Sequence, residues 1–282
     1  MEWKGRKGSA NVEDRRGGRK GGVAIAGGGI GGIILILLFT FLGGDPGELL
    51  NGSQIGGTGN TVPYEETAEE KELAEFVSVV LADTEAIWSE LFQEQGMTYE
   101  NPKLVLYTDI VQSACGTANS AVGPFYCPGD HKLYIDLSFF EELRDRYQAP
   151  GDFAMAYVIA HEVGHHVQTL LGTSDKVNAL RSKLSEKEFN QYSVRLELQA
   201  DYFAGVWAHH EKELNVLDEG DIEEAINAAS AVGDDRLQRQ AQGRVVPDSF
   251  THGTSEQRKR WFSKGFEKGT INGGDTFNAT NL

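Results

Sequence analysis

Residues 156–170 read AYVIAHEVGHHVQTL. The apolar residues Tyr157, Val158, Ile159, Val163 and Val167 recur at the spacing of a buried helix. His161 and His165 are four apart, so they stand above one another on one helical face, where two imidazoles can hold one metal ion. Glu162 is one step round, placed to reach a water on the metal rather than the metal itself, which is the position of a general base. Burying ionisable groups without compensation is costly, and a Zn2+ ion supplies the compensation. His166 falls off the ligand face and reads as a supporting or surface residue.

Catalytic zinc takes three protein ligands and keeps one position open. Segment 195–201, RLELQAD, offers the third. Glu197 and Asp201 are four apart on a second helix among apolar neighbours. Glu197 can ligate, and Asp201 can accept a hydrogen bond from a ligand histidine and fix its tautomer. The competing reading, a solvated acidic pair, loses once the HEVGH helix is taken into account. His131, His209 and His210 have no such spacing partner and read as ordinary polar residues.

Around these two helices, residues 65–95 carry an apolar face that includes Leu73, Phe76, Val80, Ile87 and Leu91. Residues 103–107 (KLVLY) and 132–137 (KLYIDL) read as short strands. Helices are expected over 139–147, 152–171 and 185–213. Asp221 opens a further helix, with Glu224 as its capping-box partner. Thr254 or Ser255 caps the last one. The polar residues 271–282 read as a loose tail.

The formal net charge is -16, yet residues 1–42 hold seven basic groups against three acidic ones. The acidic remainder repels phosphate backbones and argues against nucleic acid as a partner. Residues 23–42, VAIAGGGIGGIILILLFTFL, carry no charge, and a helix of twenty residues spans a bilayer core of roughly 30 Å. The basic flank predicts residues 1–22 in the cytoplasm and the body outside it. Gly27, Gly29 and Gly32 fit a dinucleotide fingerprint but lack the strand and amphipathic helix that it requires. The G-x-x-x-G pairs Gly27/Gly31 and Gly28/Gly32 point to self-association of the span. Residues 43–62 are a Gly-rich linker, and 63–270 form the main domain. Cys115 and Cys127 are too few for a cysteine-rich zinc site, and in an oxidising compartment they can close a disulfide.

H-E-x-x-H followed about thirty residues later by E-x-x-A-D resembles the gluzincin metallopeptidases, the thermolysin-like group. WKGRKGSANVEDRRG, YCPGDHKLYIDLSFF, AYVIAHEVGHHVQ, RLELQADYFAGVWA and HGTSEQR together resemble a narrower family, the neutral zinc metallopeptidases of bacterial membranes. The resemblance implies an α+β, mostly helical zincin-like ectodomain with a small antiparallel sheet, preceded by one transmembrane helix. It implies zinc held by His161, His165 and Glu197, with Asp201 behind them. It also implies hydrolysis of protein or peptide substrates with Glu162 as base. The group's oxyanion-stabilising residue has its candidate in His252, whose rival reading is a residue packing before a helix cap. The group's substrate-binding edge strand has its candidate in Lys132, Leu133, Tyr134, Ile135 and Asp136. The implied location is the inner (plasma) membrane, with the catalytic domain periplasmic or otherwise extracytoplasmic. The alternative is a non-catalytic zinc-binding membrane scaffold, which has no need of a base at Glu162.

Overall fold

The computed structural model describes residues 1–17 and 64–282. The stretches read as a membrane span, 23–42, and a linker, 43–62, lie outside the described residues. Among those described, no helix is long and apolar enough to cross a membrane.

In chain order the elements are β1 (Val12–Asp14), α1 (Ala68–Glu94), β2 (Lys103–Tyr107), β3 (Ile110–Ser113), β4 (Gly116–Asn119), β5 (Phe125–Cys127), β6 (Lys132–Asp136) and α2 (Ser138–Asp145). They continue with α3 (Asp152–Leu170), α4 (Thr173–Asn178), α5 (Glu186–Glu213), α6 (Asp221–Ala231), α7 (Asp234–Gln242) and α8 (Ser255–Lys268). The architecture is α+β and mostly helical. Helix α3 sits in the middle, packed on α1, α5 and α6, while α8 lies along α5. The face of α3 that carries Phe153, Tyr157, Ile159, Val163 and Val167 is fully buried.

Helices α1, α5 and α8 start at capping boxes: Thr67 with Glu70, Ser185 with Glu188, and Thr254 with Gln257. Each box satisfies two backbone donors that a helix start leaves open. Helix α6 differs from expectation, because Gly220 precedes it without a side-chain cap. Glu224 instead accepts from the backbone N–H of Phe153 at 3.1 Å. It caps α3, whose leading residue Gly151 has no side chain to do so.

Two expectations about the sheet change. The strand order is β1-β2-β6-β5. The β1/β2 and β2/β6 pairs run parallel, and β5/β6 runs antiparallel. The four-stranded sheet is therefore mixed, and antiparallel pairing is confined to β5–β6 and the separate β3–β4 ribbon. Strand β6, Lys132–Asp136, is internal and hydrogen-bonded on both sides, so it cannot accept a further strand. Among the described residues, the free edge beside α3 belongs to β5. A disulfide between Cys115 and Cys127, with Cα atoms 5.8 Å apart, ties the β3–β4 turn to β5.

The N-terminal residues are part of the body rather than a separate arm. Strand β1 pairs with β2 in the register Val12–Leu104, Glu13–Val105 and Asp14–Leu106. Trp3 is buried edge-on against Phe76. Arg6 meets Asp83 at 2.7 Å, and Ser9 and Asn11 both donate to Glu85. The Met1 ammonium lies among Asp152, Asp218 and Asp221 at 3.0–3.3 Å. A single crossing of a bilayer between residues 17 and 64 would put these partners on opposite sides. Strands β1 and β2 share one sheet, while the expectation of residues 1–22 in the cytoplasm under an external body turns on residues 18–63, which lie outside the described residues.

The tail is also packed. Gln199 donates to the carbonyl of Gly274 at 2.8 Å, Tyr202 donates to that of Thr270 at 2.7 Å, and Thr276 is fully buried. Polar side chains of α5 supply the donors that a polar tail needs.

Candidate metal centre

Gly164 brings the two ligand-bearing helices together. A Cβ there would lie 2.9 Å from the carbonyl oxygen of Ala200 on α5, closer than real packing permits. Only glycine lets the α5 backbone sit this close to α3. The approach sets Glu197 opposite the two histidines. Its Oε2 lies 3.2 Å from Nε2 of His161, and its Oε1 lies 3.5 Å from Nε2 of His165. Donor atoms of all three fall within 4.8 Å of one another. A tetrahedral zinc with bonds of 2.0–2.2 Å sets its ligands about 3.3–3.6 Å apart, so the residues present fit the ion.

The tautomers of both histidines are set from behind. His161 Nδ1 lies 2.9 Å from Asp201 Oδ1, and a carboxylate can only accept. His165 Nδ1 lies 2.9 Å from Gln168 Oε1. The amide orientation of Gln168 is fixed, because its nitrogen donates to the carbonyl of Leu196 and to Gln199 Oε1. Each ring thus donates from Nδ1 and leaves Nε2 on the Glu197 side, where it donates to that carboxylate without a metal and would give up that proton to become the ligand atom when zinc binds.

Asp201 is fully buried. Tyr157 donates to it at 2.5 Å, and Arg258 grips both its oxygens from Nε and an Nη at 2.8 and 2.9 Å. Burial pushes the Asp201 carboxyl up, but the Arg258 guanidinium and His161 outweigh it and hold the group below its ordinary range. Burial pushes His161 down, and the carboxylates of Asp201 and Glu197 reverse this and raise it to about 9. Burial raises Glu162, opposed by the two neighbouring histidines and by the backbone N–H of Tyr126 on β5. A carboxylate poised above its usual range beside two imidazoles suits a proton acceptor.

His252 stands two residues before Thr254, the N-cap of α8. Asp234 organises its loop, accepting from the backbone N–H groups of Thr251, His252 and Gly253 at 2.7–2.9 Å and facing His252 Nδ1 at 3.3 Å. Burial pushes His252 down, and Glu197 and Asp234 outweigh it and raise it. His252 therefore lies in the field of the site without touching its ligands. Lys132–Asp136 is not brought to the site, because β5 stands between. His209 and His210 lie against the carbonyls of Phe266 and Gly269 at the end of α8, far from this chemistry.

Sequence reading missed Arg258 and Gln168. Both lie in quoted motifs, HGTSEQR and AYVIAHEVGHHVQ, and both are almost wholly buried. Burial of such polar groups was the available signal, since each needs partners to compensate it. His166 is not a surface residue either: it is fully buried on the side of α3 facing β5, and burial lowers it to about 4.

A family described as "Putative neutral zinc metallopeptidase" matches residues 1–277. The chain is 50% identical over 278 residues to "Uncharacterized protein YpfJ" of Escherichia coli (strain K12), covering 95% of this chain and 96% of that protein. It is 38% identical over 259 residues to "Uncharacterized protein Mb2605" of Mycobacterium bovis, covering 86% and 85% respectively. No solved structure matches it.

Proposed function

Because this chain belongs to the neutral zinc metallopeptidase family, we propose that it hydrolyses peptide bonds at the metal centre where α3 faces β5. The observation that carries the reading is the spacing of His161, His165 and Glu197, whose two histidine–carboxylate distances match edges of a zinc tetrahedron while Glu162 stands beside them unused as a ligand. Zinc bound there would acidify a water and polarise the scissile carbonyl. Glu162 takes the proton of the attacking water and passes it to the leaving amine. His252 faces the site from the α8 side, where an imidazole can donate to a developing oxyanion. The extended substrate adds to the free edge of β5, whose Tyr126 N–H already points toward Glu162.

Membrane association is part of the proposal on the strength of the uncharged run at 23–42, with residues 1–17 and the body on one side. The disulfide supports an oxidising compartment for that side. The scaffold alternative keeps zinc but does no chemistry. Zinc content by atomic spectroscopy, beside hydrolysis of a quenched peptide library, separates the two. Wild type should carry about one zinc per chain and cleave. Glu162→Gln should keep the zinc and lose a factor on the order of 100 or more in rate. Glu197→Gln should lose both. Zinc-loaded wild type that cleaves nothing would sink the enzymatic reading.

A further inference from the structure

His166 follows the second ligand histidine and points the other way. Its ring is fully buried and makes two hydrogen bonds. Nε2 lies 2.6 Å from the backbone carbonyl of Glu100, which can only accept, so Nε2 carries the proton. In the neutral ring Nδ1 then accepts from the Tyr126 hydroxyl at 3.0 Å. Tyr99, Tyr126 and His131 pack around the ring with centroids 5.4–5.7 Å away. Tyr126 is the middle residue of β5. Its side chain reaches back to the metal-site helix, while its backbone N–H faces Glu162. The His166 imidazole thus links α3, beside the contacts of Tyr126 with Thr169 and Glu162, to the strand whose outer edge is free.

The geometry points to His166 as a positioning residue that sets the distance between the metal-bearing helix and the substrate-docking edge of β5. This rests on the peptidase reading above and names what registers its substrate. The disulfide at Cys127 fixes the far end of β5 to the β3–β4 ribbon, but nothing in the ribbon refers that strand to α3. The His166–Tyr126 bond does. A docking edge that is not held in place must be ordered each time a substrate binds, and that ordering weakens binding, so the register between them has to be held rigidly.

The test uses His166→Leu, His166→Gln and Tyr126→Phe in the full chain, each loaded with zinc and assayed on a peptide extended to both sides of the cleaved bond. Glutamine can accept from Tyr126 and donate to the Glu100 carbonyl, so His166→Gln should stay within about twofold of wild type. His166→Leu should raise KM about tenfold or more at unchanged zinc content, and Tyr126→Phe should raise it by a smaller factor, because weakened docking is a binding loss. Hydrogen exchange of residues 125–127 should quicken in His166→Leu and Tyr126→Phe and not in His166→Gln. A wild-type KM in both His166→Leu and Tyr126→Phe overturns the inference, and so does unchanged exchange in β5. Should His166→Leu fail to fold, the Tyr126→Phe and His166→Gln pair decides. Absence of any peptidase activity in wild type would instead overturn the proposed function, and the exchange measurement would still decide the clamp.

Discussion

Oδ1 of Asp201 lies 2.9 Å from Nδ1 of His161, and both oxygens of that carboxylate are gripped by Arg258. The ligand histidine therefore rests on a carboxylate that is itself held by a buried cation. Replacing Asp201 by Asn keeps the shape but weakens the acceptor, and zinc affinity should fall about 10- to 100-fold. Arg258→Leu leaves the buried Asp201 carboxylate with only Tyr157 and His161 on Oδ1 and no cation on Oδ2, so it should destabilise the fold by up to about 3–5 kcal/mol. Arg258→Lys should recover part of this. Competition against a zinc chelator and a denaturant titration measure the two effects. Wild-type zinc affinity in Asp201→Asn would show that the carboxylate does not support the ligand.

Gly164→Ala asks whether the helix approach makes the site. The added methyl would sit 2.9 Å from the Ala200 carbonyl, and relieving it must part α3 from α5. Stability should drop by about 1–3 kcal/mol, and zinc binding should weaken with it because Glu197 moves away. The same substitution at Gly172, which nothing crowds, should leave zinc binding unchanged.

Glu211 and Asp83 give the body a pH signature. Burial pushes Glu211 up to about 8 and Asp83 to about 6, with Arg6 opposing both. Neither Glu211 oxygen has a hydrogen-bond donor among the described residues, and the Arg6 guanidinium stays 3.8 Å away. Between the ordinary carboxylate range and pH 8 the folded state holds a proton that the unfolded state has released. Stability therefore falls as pH rises through that window and levels off above it. Glu211→Gln should flatten the profile and raise stability at pH 8 by a few kcal/mol. Chemical denaturation at pH 5, 6.5 and 8 checks it, and a loss of stability at pH 8 would refute the assignment.

The β1–β2 pairing predicts that residues 1–17 and the body share a compartment. Lys7 and Lys187 are both exposed, and cysteines placed at them should react alike with an impermeant maleimide in intact cells. Labelling of one and protection of the other would mean that β1 does not pair with β2 in the cell.

Local patterns were readable in advance. The HEVGH and ELQAD spacings placed His161, His165, Glu197 and Asp201 together, because each pair lies within two turns of one helix and periodicity governs that scale. The cap at Thr254 was likewise local. Long-range pairings were not readable. KLYIDL has the pattern of any short strand, and whether it is internal depends on β2 and β5 lying on either side. Arg258 is about a hundred residues from the Tyr157 it touches. Glu224 satisfies the start of a helix other than its own. The apolar run at 23–42 suggested a boundary, yet strand β1 before it belongs to the same sheet as β2 after it.

That pairing also has a cost in time. Val12 must find Leu104, about ninety residues further along the chain. A ribosome adding roughly 5–20 residues per second exposes the first segment several seconds before its partner strand exists. Closing a parallel pair across so long a loop is entropically slow. During that interval Trp3, buried in the finished protein, remains available to other hydrophobic surfaces. The opening segment of the nascent chain is thus the place where a chaperone would have most to protect.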